Sequence, residues 1–473
     1  MLISIIFGIP VLAALLTVIF RSKKVNEIVM FGFAVAYPVA ALSACAYPSG
    51  CTRYFSVDGV NGLFLFILGC IASAVACSSV FFLRKGNISS LWHSYFCVFF
   101  YLFIGAMTGA LLSTHCGLLW VFIESTTLMS APFIYFEKTR HSLEATWKYL
   151  FICSIGIALA FMGIILLSIS AEKVQSLFFF DLYRNARVLN GFWLQISFLF
   201  VLVGFGTKMG LAPVHAWLPD AHSEAPAPIS ALLSGALLNT AFLGIFRIFK
   251  ILEIAGVDAK GRTLIIIMGM ASIGIAAVYM MKVRNYKRML AYSSIENMGI
   301  MALGMGIGGG AVFASVIQTA AHSFIKSSFF LASGNIFERF KTKDIGHVRG
   351  VTVCDPVNGW LWIFCFFALT GFPPSPIFWS KLMLIKEMVS GGNLGLMIVF
   401  LGFLVVILYG MGVSVFSMCF GESSVPVCER NKHFFPDWLP AAVLLIFIMI
   451  CGVCVPGGVY SFLQTAAAGI TGK

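Results

Sequence analysis

Stretches of about twenty apolar residues, the length a helix needs to cross a bilayer, follow one another through almost this whole chain. Fourteen can be counted, near residues 2–20, 27–47, 60–83, 95–113, 117–136, 147–170, 193–218, 226–249, 263–281, 291–308, 311–337, 357–388, 395–420 and 438–463. Of the 473 residues 60% are hydrophobic and 11% are charged, and the mean hydropathy is +0.96. A soluble domain carries about 25% charged residues. The expectation is an all-α, polytopic membrane protein of about fourteen transmembrane helices. Basic residues Arg21, Lys23 and Lys24 follow the first apolar run and do not precede it. That order reads as a first spanning helix and not as a cleavable signal.

A net charge of +12 would in a soluble protein point to nucleic acid. Here the Lys and Arg residues sit in or beside the short segments between spans, where membrane insertion places them, so no nucleic-acid partner is expected. The segments after the odd-numbered stretches hold 18 of the 31 basic residues, and those after the even-numbered stretches, with the tail, hold 7. The first set is therefore assigned to the cytoplasm, with both termini on the outer face. The other six, Lys208, Arg247, Lys250, Lys326, Lys381 and Lys386, fall within spans. A lysine or arginine at the centre of a spanning helix costs about 2.5–3.5 kcal/mol. Arg247, Lys250 and Lys386 lie near helix ends, where a long side chain snorkels to the interface. Lys208, Lys326 and Lys381 need another reason.

The segment GFGTKMGLAPVHAWLPDAHSEAPAPISALLSGALLN, beginning at Gly204, supplies one. It carries Lys208 in an apolar helix that Pro213 interrupts, and Pro219, Pro226 and Pro228 follow. Proline removes a backbone donor. In lipid, such a break survives only where protein or a water-filled cavity satisfies the freed groups. The twelfth stretch, FALTGFPPSPIFWSKLMLIKEM, mirrors it: Pro373, Pro374 and Pro376 break it, and Lys381 follows the break where Lys208 precedes its own. That reversal is what an inverted repeat produces, and broken helices in two halves point to a transport path. The organisation expected is three N-terminal helices (1–94), a first five-helix repeat (95–250), a second, inverted repeat (251–420) and a C-terminal helix (421–473).

Other polar residues lie in apolar runs. Glu124 sits well inside the fifth, in WVFIESTTL. A lone carboxylate there is protonated or paired. Gln318, His322 and Lys326 recur every four residues, so they form one polar stripe on a helix. Such a stripe reads either as hydrogen-bonding glue between helices or as part of a proton relay, and its titratable groups favour the relay. Asp220, His222 and Glu224 form D-x-H-x-E at the end of the broken seventh span. This pattern fits a metal site, a proton access or helix-end capping, and capping is the plainest reading. His215 in the break, and Glu296, early in the tenth stretch, are pathway or boundary residues. Gly304, Gly306 and Gly309 satisfy G-x-G-x-x-G without a preceding strand, so they read as a flexible turn and not as a dinucleotide site. Cys451 and Cys454 form C-x-x-C with no further ligands nearby. Packing on one helix face is the expectation, and no metal.

The energetics suit pumping. Making or breaking a buried Glu–Lys pair changes a lysine's proton affinity by about 3 pKa units, or about 4 kcal/mol. Moving one charge against about 150–200 mV costs roughly 3.5–4.6 kcal/mol.

Through these motifs, with KRMLAYSSIENMGIM and HSFIKSSFFLASG, the chain resembles the antiporter-like membrane subunits of respiratory complex I, multi-subunit sodium/proton antiporters and membrane-bound hydrogenases. LPDAHSEAPAPISALLSGALLN is most similar to the F component of hydrogenase-4 and formate-hydrogenlyase-type complexes. The resemblance implies a proton pathway of Glu124, Lys208, His322, Lys326 and Lys381, in which a Glu–Lys pair gates transfer. It implies no prosthetic group or metal in this subunit, since electron transfer occurs in partners. Those partners would be further antiporter-like subunits and a peripheral arm with iron–sulfur and nickel–iron hydrogenase proteins, in the cytoplasmic membrane of a prokaryote. The sequence departs from several family members at Asn239, where they carry a lysine or histidine, and it lacks the long C-terminal lateral helix of the largest subunit type. Membership of a sodium/proton antiporter, membership of complex I and an inert membrane scaffold are the rival readings.

Overall fold

The computed structural model describes residues 2–46, 52–86, 89–422, 437–454 and 457–471. Among them there is no strand beyond isolated bridges. The helices are α1 (Leu2–Phe20), α2 (Lys23–Ala46), α3 (Gly59–Lys85), α4 (Ser90–Leu112), α5 (Cys116–Ile134) and α6 (Arg140–Ser170). They continue with α7 (Gly191–Met209), α8 (Trp217–Glu224), α9 (Ala227–Ala255), α10 (Ala259–Met280), α11 (Tyr286–Ile307) and α12 (Gly310–Phe340). The last five are α13 (Pro356–Thr370), α14 (Pro376–Ser390), α15 (Leu394–Cys419), α16 (Leu439–Val453) and α17 (Gly457–Thr471). Short helices at Phe179–Arg184 and Val351–Cys354 lie between spans. This is a multi-pass membrane protein.

All fourteen apolar stretches are mainly helical where they are described, with breaks at 210–216 and 371–375, but they do not all make full spans. Ten described helices are long and apolar enough to cross a membrane, or eleven if α16 and α17 form one bent span. α11 and α12 are long but are not among them, because polar residues interrupt their apolar runs. The twelfth stretch divides into α13 and α14, of 15 residues each. The fourteenth is bent by 88° between α16 and α17, and the segment before it, 423–436, lies outside the described residues.

Burial sorts the helices into an inner and an outer set. The most apolar window of α9 is entirely buried, whereas those of α1 and α15 are 33% and 28% buried. A helix apolar all round belongs either inside a large protein or against lipid, and both cases occur here. α9, α11 and α12 form the interior and carry many of the buried polar residues. Their close approach needs small residues. A Cβ on Gly235 of α9 would stand 2.2 Å from Ser327 Oγ and 2.9 Å from the Ser323 carbonyl of α12. Gly304 and Gly306 serve the same purpose within α11, against Ser315 and Ile266, and are not part of a flexible turn. The turn itself is Gly308–Gly309, both at positive φ.

Three further expectations change. Arg247 does not snorkel, because its Nη2 pairs with Asp58 Oδ2 at 2.7 Å and the residue is 8% exposed. Lys250 donates to the Gly469 carbonyl at 2.5 Å. Cys454 lies just beyond the end of α16 in an extended conformation and is exposed, so the two cysteines do not share a packed helix face.

Candidate functional site

The broken seventh stretch ends earlier than its proline. α7 stops at Met209 because Gly210 takes a left-handed conformation (φ 80°) that only glycine adopts freely. The freed carbonyls find partners: Gly206 accepts from Leu211 N at 2.8 Å, and Thr207 accepts from Gly210 N at 3.1 Å and from Trp217 Nε1 at 2.8 Å. Lys208 is therefore in the last turn of α7, where the carbonyl end of the helix favours a cation. Its ammonium is fully buried and donates to Tyr149 OH at 2.6 Å and Thr127 Oγ1 at 2.9 Å. It also lies 4.6 Å from the centroid of the Tyr149 ring. Tyr149 shares a further hydrogen bond with Ser130 at 2.5 Å.

Glu124 is not in ion-pair contact with Lys208. Its Oε1 accepts from Ser154 Oγ at 3.2 Å, and its buried Oε2 has no partner among the described residues. Hydroxyls of α5 and α6 hold the lysine in place of the carboxylate.

The twelfth stretch builds its break differently but meets the same electrostatics. α13 ends at Thr370, with Gly371 at φ 92°. Ser375 caps α14, accepting from Ile377 N at 3.2 Å, and its hydroxyl donates to the Ala368 carbonyl at 2.7 Å. Lys381, in the second turn of α14, reaches back across the break and donates to the Thr370 carbonyl at 3.1 Å. Each lysine thus serves the C-terminal end of a broken half-helix. Lys381 also pairs with Glu296 Oε1 at 3.3 Å, and both side chains are buried. Glu296 is therefore no boundary acid. It lies in the middle of α11.

The stripe on α12 is fully buried. Lys326 donates to Ser293 Oγ at 2.7 Å and to the Leu290 carbonyl. Gln318 donates to Asn297 Oδ1 at 2.5 Å and accepts from Ser380. Neither ring nitrogen of His322 has a partner among the described residues, and a buried polar group in that condition calls for water. Asn239 bridges α9 and α12. Its Nδ2 donates to Ser323 Oγ at 2.7 Å and to the Gly235 carbonyl at 2.9 Å, inside a π-helical turn at Leu233–Leu237. Ser234 and Ser294 share a bond of 2.8 Å beside it. A π-turn rotates the following side chains out of α-helical register and is frequent at functional sites.

The D-x-H-x-E residues diverge. Asp220 pairs with Arg288 and, at 3.2 Å, with Lys148. Glu224 lies 3.5 Å from Lys343. His222 is fully buried, stacked on Phe330 with ring centroids 4.9 Å apart, and neither of its nitrogens has a partner among the described residues. Neither α8 nor the helical start of α9 has a side-chain cap, so capping is wrong for all three. His215 stays in the break, its Nδ1 likewise without a partner among the described residues. Among those residues no three His, Cys, Asp or Glu side chains cluster as metal ligands.

The sequence profile of the family described as NADH:quinone oxidoreductase/Mrp antiporter, transmembrane, matches residues 113–407. The chain belongs to this family. It is 35% identical over 422 residues to a hydrogenase-4 component F homolog of Methylacidiphilum infernorum, covering 87% of each chain. It is 26% identical over 466 residues to a Na(+)/H(+) antiporter subunit of Alkalihalophilus pseudofirmus, covering 94% of this chain and 92% of that one. Its fold superposes with a TM-score of 0.87, at 21% identity, on a chain of an archaeal membrane-bound sulfane sulfur reductase, covering 99% of this chain and 97% of that one. The matched segment, 113–407, contains every one of the buried lysines described above, together with Glu124, Glu296 and His322.

Residues that sequence reading missed are those whose type is ordinary in a membrane helix. Tyr149 and Thr127 carry no signal until Lys208 is seen between them. Lys287 counts among loop residues in the sequence, yet it lies in the first turn of α11 and is 2% exposed.

Proposed function

We propose that this protein is the proton-translocating membrane subunit of a redox-driven respiratory complex of the hydrogenase-4 or formate-hydrogenlyase type. The observation that carries the reading is the set of buried cations. Lys208, Lys326 and Lys381 are buried within largely apolar helices, each held by hydroxyls or carbonyls. Among the described residues, only Lys381 of the three has a carboxylate in contact. Burying a charge without purpose is costly, and an inert scaffold has no use for it. Protons pass along Glu124, Lys208, His322, Lys326 and Lys381, with Asn239 and the serines beside it ordering water between the halves.

Glu296 completes the second half. In an inverted repeat of helices 4–8 on 9–13, the fifth span matches the tenth and the seventh matches the twelfth. Glu296 and Lys381 are then counterparts of Glu124 and Lys208. One pair is closed at 3.3 Å and the other is open. Closing the open pair is worth about 4 kcal/mol for each 3 units of proton affinity changed, which matches the cost of one charge against a membrane potential.

The chain sits in the cytoplasmic membrane with both termini outward, beside further antiporter-like subunits. A peripheral arm with iron–sulfur and nickel–iron proteins performs the electron transfer. Membership of a sodium/proton antiporter is the second reading, favoured by the relative in Alkalihalophilus pseudofirmus. Sodium takes several oxygen ligands, and the buried groups here are mostly lysines and histidines. Mass spectrometry of the gently solubilised native complex separates the readings. Co-purifying nickel–iron hydrogenase subunits are the expected result. Small antiporter subunits with no metalloprotein would overturn the redox half of the proposal.

A further inference from the structure

α11 carries polar groups at every third residue, winding round the helix: Lys287, the Leu290 carbonyl and Ser293 that seat Lys326, and Glu296 that pairs Lys381. At 1.5 Å per residue the ladder from 287 to 296 spans about 14 Å. Its inner steps belong to the relay already described. Its outermost step, Lys287, belongs to nothing yet described.

Lys287 is buried and donates from Nζ to the Ala225 carbonyl at 3.0 Å. Among the described residues no carboxylate is in ion-pair contact with it. An ammonium has three donors, so two remain for water. A cavity of about 50 Å³ adjoins it, lined also by Ser78 of α3, Glu137, Asn335, Glu338 and Asp437. A water needs roughly 10–15 Å³ of such space and polar neighbours, and the cavity offers both. Toward the surface stands Lys343, 3.5 Å from Glu224 and 3.9 Å from Glu137. Lys287 and Lys343 lie over the same Phe337 ring, at 5.8 and 5.7 Å from its centroid. Toward the interior, Lys326 and the stacked His222 share the Phe330 ring. Segments from α3, α8, α11 and α12, with Glu137, Lys343 and Asp437, thus converge on one mouth, on the side that the basic loops assign to the cytoplasm.

We propose that Lys287 is the proton-uptake residue, taking protons from the water-filled mouth beside Glu137, Glu224 and Lys343 and passing them inward to Lys326, with His222 alongside. The step is a transfer of one proton from hydrated mouth to Lys287 Nζ, then from Nζ through water to Lys326 Nζ, with no other bond changed. The proposal rests on the proton-translocation reading.

The test uses the whole complex in sealed vesicles, measuring protons moved per redox turnover. Lys287→Arg keeps the charge but cannot release a proton at any working pH. If Lys287 carries protons, Lys287→Arg and Lys287→Met remove this subunit's share of that ratio, leaving what the other antiporter-like subunits move, and Lys287→His, which can release a proton, keeps a substantial part of that share. Ser78→Leu, which fills the cavity and touches no charge, lowers it in the same direction. Normal pumping by Lys287→Arg would overturn the proposal, because charge alone would then suffice. Should Lys287→Arg fail to assemble, unchanged pumping by Ser78→Leu overturns it instead. Lys208→Ala, measured in parallel, separates the two claims. Loss of pumping there with normal Lys287→Arg sinks only the uptake proposal, and retained pumping in Lys208→Ala sinks the translocation reading itself.

Discussion

At the scale of single residues, Glu296 is the most informative acid. Its carboxylate is the only one within ion-pair distance of a buried lysine of the relay among the described residues. Removing one partner of a buried pair leaves the other uncompensated, which costs about 3–5 kcal/mol. Glu296→Gln is therefore expected to slow pumping and lower thermal stability together, whereas Glu124→Gln, at an open site, slows pumping with little loss of stability. Thermal unfolding of the purified complex checks the difference. Tyr149→Phe removes one of two bonds that hold Lys208 away from Glu124, so proton movement per turnover should fall while redox turnover persists. The lysines are legible in the sequence because a charge in an apolar run stands out. Tyr149, Thr127 and Ser293 are not, since hydroxyls are common in membrane helices and mean something only beside the group they bind. Lys287 is hidden for a different reason: a loop and the first turn of a helix look alike in sequence, and only packing shows that its side chain turns inward.

At the scale of elements, the broken helices show what sequence can and cannot locate. Their prolines mark that α7–α8 and α13–α14 are interrupted. The stopping points are set by Gly210 and Gly371, each at positive φ, ahead of the prolines. Pro213 and Pro374 each follow a cis peptide bond. The π-turn at Leu233–Leu237 cannot be read from sequence: Gly235 weakens the helix there, but nothing in LSGAL specifies a π-turn. Within it Gly235 meets α12 at close range. Gly235→Ala places a Cβ 2.2 Å from Ser327 Oγ and 2.9 Å from a backbone carbonyl, so it is expected to destabilise the packed helices by about 1–3 kcal/mol. The readout is a lower unfolding midpoint, with pumping reduced because Asn239 bonds the carbonyl of that same glycine.

At the scale of the whole molecule, an interior of α9, α11 and α12 is rich in buried polar residues while the outer helices are largely apolar. Hydropathy alone predicts the perimeter well and the interior poorly, since α11 and α12 trade apolar residues for the groups proposed to move protons. The proposed relay holds one Glu–Lys pair in contact, Glu296 with Lys381, and one apart, Glu124 with Lys208. The central claim is that protons cross through this relay. The measurement that tests it most directly is proton translocation by the complete complex in sealed vesicles, carrying Lys208→Ala, with redox turnover recorded in the same sample. The account predicts that turnover continues and translocation through this subunit ceases. Undiminished translocation in that variant would contradict it.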